Sequence, residues 1–347
     1  TFRNAWRIEE LRKKILFTLV IILLYRLGNA IPVPDVNIAL LNAYFAQQQS
    51  TILGLLDVMS GGAFSNATIF ALSIQPYINA SIIIQLLCIA IPSLERLSKE
   101  GGEEGRKKIA SITRYATVAI GLLQGFAYYM LIMNNNMLNA DAQGIWSAIV
   151  IILTFTSGSA LIMWLGEQIT EFGIGNGISM ILFAGIISRI PSLVSALVSS
   201  LASGAIKWYT AILLVLGMLL IVVFIVFITN SERRIPVQYA KRVVGRKQMG
   251  GQNSYLPLKL NMSGVMPIIF ASAMVSIPGT IGSFLQIDQA AHPFWYAFFH
   301  TFNYTSLLYI VIYLLLILAF NYFYVAIQYN PVEIANNLRR NNGSIPG

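Results

Sequence analysis

Polar side chains set inside apolar stretches are the residues of this sequence that could do work. The apolar run 67–91 holds Gln75, Pro76, Asn79, Ser81 and Gln85. Such groups are costly in hydrocarbon, so they are functional candidates by default. Pro76 removes a helical hydrogen bond and invites a kink. Two further runs open on glycine-containing stretches, EFGIGNGISM and NMSGVMPIIF, the second with Met266 and Pro267 one turn in. Small residues there also let helices pack closely. Arg26, within the first run, is expected to snorkel or to pair. Catalytic sets do not assemble. No acid lies in the middle of a run, and Glu167 and Glu171 sit at an edge. That weakens ion- or proton-coupled transport, which needs a buried ionisable group. His292 and His300 share one connection with no acid in either flanking run, and TSGSA at 156–160 lacks a partner base and reads as packing. There is no phosphate-binding Gly-Lys-Ser/Thr loop. The expectation is no enzyme, no cofactor and no metal site: a passive pathway with polar inner faces.

The elements that position these groups are long apolar helices. Of 347 residues 56% are hydrophobic and 11% charged, against about a quarter charged in soluble domains. Eight apolar runs stand out, at 15–33, 67–91, 109–133, 145–165, 177–199, 208–229, 264–285 and 304–328. A bilayer crossing needs about 20 such residues, and runs this long without alternation are helices, not barrel strands. Before the second run lies a shorter one, 52–59, which carries Asp57 and ends at Gly61 and Gly62. It is too short to cross and reads as interfacial or re-entrant. The single cysteine, Cys88, falls inside a run and says nothing of redox compartment.

The net charge of +9 clusters in four places: the N-terminal 14 residues, the connection after run two, the connection after run six, and the tail after run eight. Connections after runs one, three and seven hold Asp35, Asp57, Asp141 and Asp288 without Lys or Arg. This is the positive-inside pattern of an even-span protein with a cytoplasmic N-terminus. TFRNAWRIEELRKKI fits an amphipathic surface helix. The connection 231–260 carries more bases than topology needs, interleaved with apolar and aromatic residues, and suits an acidic protein partner or RNA phosphates.

Seven stretches in order, RLGNAIPVPDV, GGAFSNATIFALSIQPYINASIIIQLL, EGRKKIASITRY, MWLGEQITEFGIGNGIS, ERRIPVQYAKR, LPLKLNMSGVMPIIFAS and YNPVEIANNLRRNNGSIPG, resemble the SecY family, the central subunit of the bacterial protein-conducting channel. The resemblance implies an all-α polytopic membrane protein. Its bundle has two pseudo-symmetric five-helix halves around a central pore, the second half incomplete because the family's last two helices lie beyond residue 347. It divides the chain into an N-terminal helix 1–14, a first half 15–200 with a plug at 51–65, a partial second half 201–329 with a cytoplasmic loop 231–260, and the start of a further loop at 330–347. By resemblance, Ile74, Ile78, Ile178, Leu182 and Ile269 form a constriction ring. Branched apolar collars can dewet and exclude ions, and Ile74 with Ile78, like Ile178 with Leu182, is spaced i,i+4.

The segment 52–59 becomes the plug. Ile52, Leu55, Leu56 and Met59 would rest on the collar, Asp57 would face water, and Gly61 and Gly62 would hinge it. A lateral gate between the second and seventh spans has Asn79, Gln85, Pro267 and Ser272 as candidates, and Asn176 either caps the fifth helix or lines the funnel. Arg233, Arg234, Arg242, Arg246, Arg339 and Arg340 are the expected docking bases. Implied partners are SecE-like and SecG-like small subunits, the SecA motor ATPase, the ribosome, signal sequences, unfolded preproteins and membrane lipids. The implied site of action is the bacterial inner membrane. The competing readings are a secondary transporter with broken helices and an insertase-like scaffold without a through-pore.

Overall fold

The computed structural model describes residues 6, 8–47, 52–99, 101–139, 144–239, 242–244, 247–249, 254–285, 293–295, 298, 306–328, 331–340 and 343–345. The chain separates into two compact units, Thr1–Ser195 with Ser276–Leu307, and Ala196–Val275 with Leu308–Gly347.

In the first unit, α1 (Glu9–Gly28) runs unbroken from the charged N-terminal stretch into the first apolar run. Next come α2 (Ile38–Gln47) and α3 (Ile52–Met59), and then α4 (Gln75–Ala90), α5 (Pro92–Lys99) and α6 (Gly102–Asn134). The unit continues through α7 (Ile145–Phe172) and α8 (Gly177–Ile187) into α9 (Ile190–Ala202). α6 packs along α4 and α7, and α1 and α8 pack on α7. The core sits at one end of this bundle. Phe45 meets Phe64 edge-on, Phe64 stacks on Tyr128 at 4.3 Å, and Tyr128 reaches Phe155. Leu53 of α3 is part of the same cluster.

The second apolar run departs from expectation. Residues 67–74 form tight turns, with Ala67 and Ser73 at positive φ, and the helix begins only at Gln75. Pro76 therefore stands in the first turn, where its missing N–H is not needed, and does not kink the helix. The bend comes later: α4 and α5 diverge by 107°. Asn176 caps α8, its Oδ1 accepting from the Ser179 N–H at 3.2 Å. Gly158, in TSGSA, lies against the backbone of Ile69 so closely that a Cβ there would fall 2.0 Å from its carbonyl oxygen. That serine–glycine pattern is packing. In EFGIGNG, Gly173 and Gly177 are likewise crowded by neighbouring backbone, while Gly175 has open space and a φ of +72°.

The second unit holds α10 (Trp208–Asn230), the first part of α11 (Met266–Leu285), α12 (Leu307–Gln328) and α13 (Pro331–Arg340). The described residues of the connection 231–260, read from sequence only as a loop, form antiparallel strand pairs. β1 (Glu232–Tyr239) pairs antiparallel with β4 (Ser254–Lys259), Glu232 opposite Lys259 and Val237 opposite Ser254. β2 (Arg242–Val244) and β3 (Lys247–Met249) pair within it, and β5 (Gly343–Ser344) adds to the other side of β1. Ile235 and Val237 alternate inward with exposed Arg234, Pro236 and Gln238, the period of a half-buried strand. α13 turns Ile334 and Leu338 toward Leu256 and Leu258 across an apolar groove of about 560 Å³.

Five described helical stretches are long and apolar enough to cross a membrane: Gly102–Asn134, Ile145–Phe172, Gly177–Ala202, Trp208–Asn230 and Leu307–Ala326. The bent pair Gln75–Ala90 and Pro92–Ser98 makes a sixth. Of the other two runs, α1 opens on five charged residues within its first six and α11 carries Pro278 inside it. On α10 Ala211 alone is buried and Leu213, Leu220 and Phe227 are each about 70% exposed. A helix apolar all round and uncovered by protein has lipid as its solvent, so the chain is a multi-pass membrane protein.

Candidate gating site

The short helix α3 is where the predicted residues meet. Its sequence, ILGLLDVM, is apolar apart from Asp57. Leu53 enters the core. The side chains of Ile52 and Leu55 lie outside the described residues. Met59, at its end, accepts from Nε2 of Gln75 at 3.2 Å. That seats α3 on the start of α4, beside Ile74, which is fully buried.

The sequence reading has Asp57 facing water, and it does not. It is 7% exposed. One carboxylate oxygen accepts from the Ser65 N–H at 2.7 Å, and the other pairs with the Arg189 guanidinium. A lone carboxylate on an otherwise apolar helix packed against protein is stable there only with such partners. Its backbone carbonyl accepts from the Gly62 N–H, closing the turn that follows. Gly61 and Gly62 adopt φ of 70° and 87°, a left-handed conformation that glycine takes at little cost. A Cβ on Gly61 would fall 2.8 Å from both the Gly185 carbonyl oxygen and Ser188 Oγ. These glycines thus serve a close approach of α3 to the C-terminal end of α8. From α1 the Tyr25 hydroxyl, and from the residue that caps it the Asn29 amide, both donate to the Ser60 carbonyl, at 3.4 and 3.5 Å.

The ring candidates are placed as follows. Ile74 immediately precedes α4 and accepts from the Ile78 N–H at 3.0 Å, and both side chains are buried. Ile178 and Leu182 are half-buried on α8. Ile178 packs toward α7, where a Cβ added to Gly166 would sit 3.5 Å from its Cγ1. Ile269 belongs to the second unit, half-buried on α11, its carbonyl accepting from Ser272 Oγ. Pro267 shares the packed face of α11 with Phe270, Ala271 and Val275, where Phe270 meets Phe320 and Tyr324 of α12 edge-on.

Of the gate candidates on α4, Gln85 is exposed and donates to Ser81. Asn79 turns inward. With Gln75 and Gln124 it lines a cavity of about 80 Å³ beside Leu53 and Leu56, and its Oδ1 and Gln124 Oε1 are buried without a partner among the described residues. Such acceptors call for water or a mobile donor.

Arg233 and Arg234 are exposed on β1, and Arg339 and Arg340 are exposed in the last turn of α13. Arg242 lies on β2 with its side chain outside the described residues, which also exclude Arg246, His292 and His300. Sequence reading missed Arg189, Tyr25 and Gln124. The signal for Arg189 was present: a base inside an apolar run demands an acid.

A SecY family model matches residues 68–347. The chain is 41% identical to the protein translocase subunit SecY of Corynebacterium glutamicum, over 99% of this chain and 80% of that protein. It is 42% identical to that of Mycobacterium bovis, over all of this chain and 80% of that protein. Solved structures share the fold at lower identity. One described as the structure of a protein conducting channel matches with a TM-score of 0.55 at 18% identity, covering 79% of this chain and 59% of that one. Sec61 in the canine ribosome-channel complex matches at 0.54 and 19%, with the same coverage. The chain belongs to the SecY family, whose members include the protein translocase subunits it matches.

Proposed function

We propose that this chain passes unfolded secretory polypeptides across a bacterial inner membrane and releases transmembrane segments sideways between α4 and α11. The observation that carries this reading is the seat of α3. A helix too short to span is held on the start of the polar-lined α4 by Met59 and Gln75, and on α8 by Asp57 and Arg189. In this reading α3 is the plug, and Ile74, Ile78, Ile178, Leu182 and Ile269 form the ring. A related structure is described as showing that the plug domain of SecY stabilises the closed state and maintains a membrane seal, and α3 takes that role here.

The N-terminus is cytoplasmic, and the exposed bases Arg233, Arg234, Arg339 and Arg340 stand on that side with Arg242 and Arg246. They dock a SecA-type ATPase or a ribosome, which supplies the energy. SecE-like and SecG-like subunits brace the two halves, 15–200 and 201–329.

The test is reconstitution of the complete protein with its small subunits in liposomes. With SecA and ATP, an unfolded secretory preprotein becomes protected from added protease. Saturable solute flux coupled to an ion gradient would instead favour the transporter reading. Insertion of hydrophobic clients without translocation of a secreted one would favour a scaffold.

A further inference from the structure

The C-terminal ends of three helices meet around the turn that follows α3: α1 ends at Gly28, α3 at Met59 and α8 at Ile187. Each end carries partial negative charge. Two cations answer it. Arg189, in the turn after α8, pairs with the Asp57 carboxylate and also lies 3.4 Å from its backbone carbonyl. Arg26, in the last turn of α1, stands 3.2 Å from where a Cβ on Gly61 would lie, and its buried Nη1 has no partner among the described residues. Asp57 is paired with Arg189, Arg26 adds a second cation at the turn that follows, and Tyr25 and Tyr128 are the other titratable groups near this place. The Asp57 and Arg189 side chains are only 11% and 28% exposed.

We propose that Asp57 and Arg189 form a latch that holds α3 against α8 and must break before α3 leaves its seat. This rests on the reading of α3 as a plug. Asp57 is the one acid on α3, so nothing else on that helix offers a charge to Arg189. Moving α3 away strips both groups of their partner in a poorly hydrated place, which holds the helix at rest. Asp57→Asn leaves Arg189 without its anion, and Arg189→Gln leaves the Asp57 carboxylate without its cation. Each therefore loosens α3, and because both remove the same ion pair the double variant is no looser than the looser single variant.

The test uses the complete reconstituted complex with two readouts: resting ion conductance, and the distance between spin labels at the exposed positions Val58 and Phe183. Asp57→Asn is expected to broaden the distance distribution and to raise the leak about fivefold or more, the lower range for coupling between two elements. Arg189→Gln gives a change of the same kind, and Arg189→Lys, which keeps the charge, a smaller one. Distances unchanged in both Asp57→Asn and Arg189→Gln overturn the latch. If Asp57→Asn does not accumulate, Arg189→Gln decides alone, and an unchanged distance distribution sinks the proposal. Deleting residues 52–59 separates the two readings. No added leak there counts against the plug, while the distances measured in the point variants still report on the latch.

Discussion

Nε2 of Gln75, the first residue of α4, lies 3.2 Å from Sδ of Met59, the last residue of α3. The contact joins the short helix to the position next to Ile74. A thioether is a weak acceptor, so Gln75→Leu is expected to lower stability by no more than about 1 kcal/mol. If the contact seats a plug, the same substitution raises resting conductance. Melting in detergent and planar-bilayer recording check the two halves. Unchanged conductance would remove this contact from the seal.

The ring reading predicts that Ile78→Gly combined with Ile178→Gly widens the constriction and raises the resting leak. The stability cost is unequal. Ile78 is 8% exposed, so its loss costs about 2–5 kcal/mol for the vacated volume, with about 1 kcal/mol more for glycine in a helix. Half-buried Ile178 costs less. A double variant that folds and leaks no more than wild type argues against the ring.

The long helices were legible because a bilayer demands some 20 apolar residues and leaves few alternatives. Their ends were less so. Residues 67–74 are as apolar as the helix they precede, and composition alone does not distinguish a buried turn from a helix. Pro76 marked the start and was read as a kink, because proline has both uses. The strand character of 232–239 was present in its alternation, where Ile235 and Val237 turn inward. The adjacent bases Arg233 and Arg234, one on each face, obscured it. The pairing of Asp57 with Arg189 joins residues 132 apart, a separation at which no local pattern speaks. The facing of Asn79, into a cavity with Gln124, depended on how α4 rotates against α6, which packing alone sets.

Arg233 and Arg234 are exposed on β1, opposite Leu258 and Pro257. Reversing both to Glu is expected to leave the fold within about 0.5 kcal/mol of wild type, as for most surface changes. Affinity for a SecA-type ATPase or for ribosomes falls, and the residual binding depends less on salt because screening acts on these charges. Sedimentation with ribosomes across a salt series checks it. Equal affinity at every salt concentration would place the docking bases elsewhere.

Two glycines in membrane helices should respond oppositely to the same change. At Gly158 a Cβ would fall 2.0 Å from the Ile69 carbonyl oxygen and 2.9 Å from its carbonyl carbon. Both are backbone atoms of a tight turn and have no rotamer by which to yield. Gly158→Ala must therefore push α7 away from 67–74, the segment that leads into α4, and overpacking of this kind costs about 1–3 kcal/mol. At Gly217, in the lipid-facing α10, a Cβ meets nothing within 4 Å. Gly217→Ala gains helix propensity, up to about 1 kcal/mol. Melting temperatures in one detergent are expected to fall for the first variant and hold or rise for the second. Because 67–74 also carries Ile74, the first variant should leak at rest as well. A normal seal with lowered stability would show that α7 bears on the fold and not on the gate.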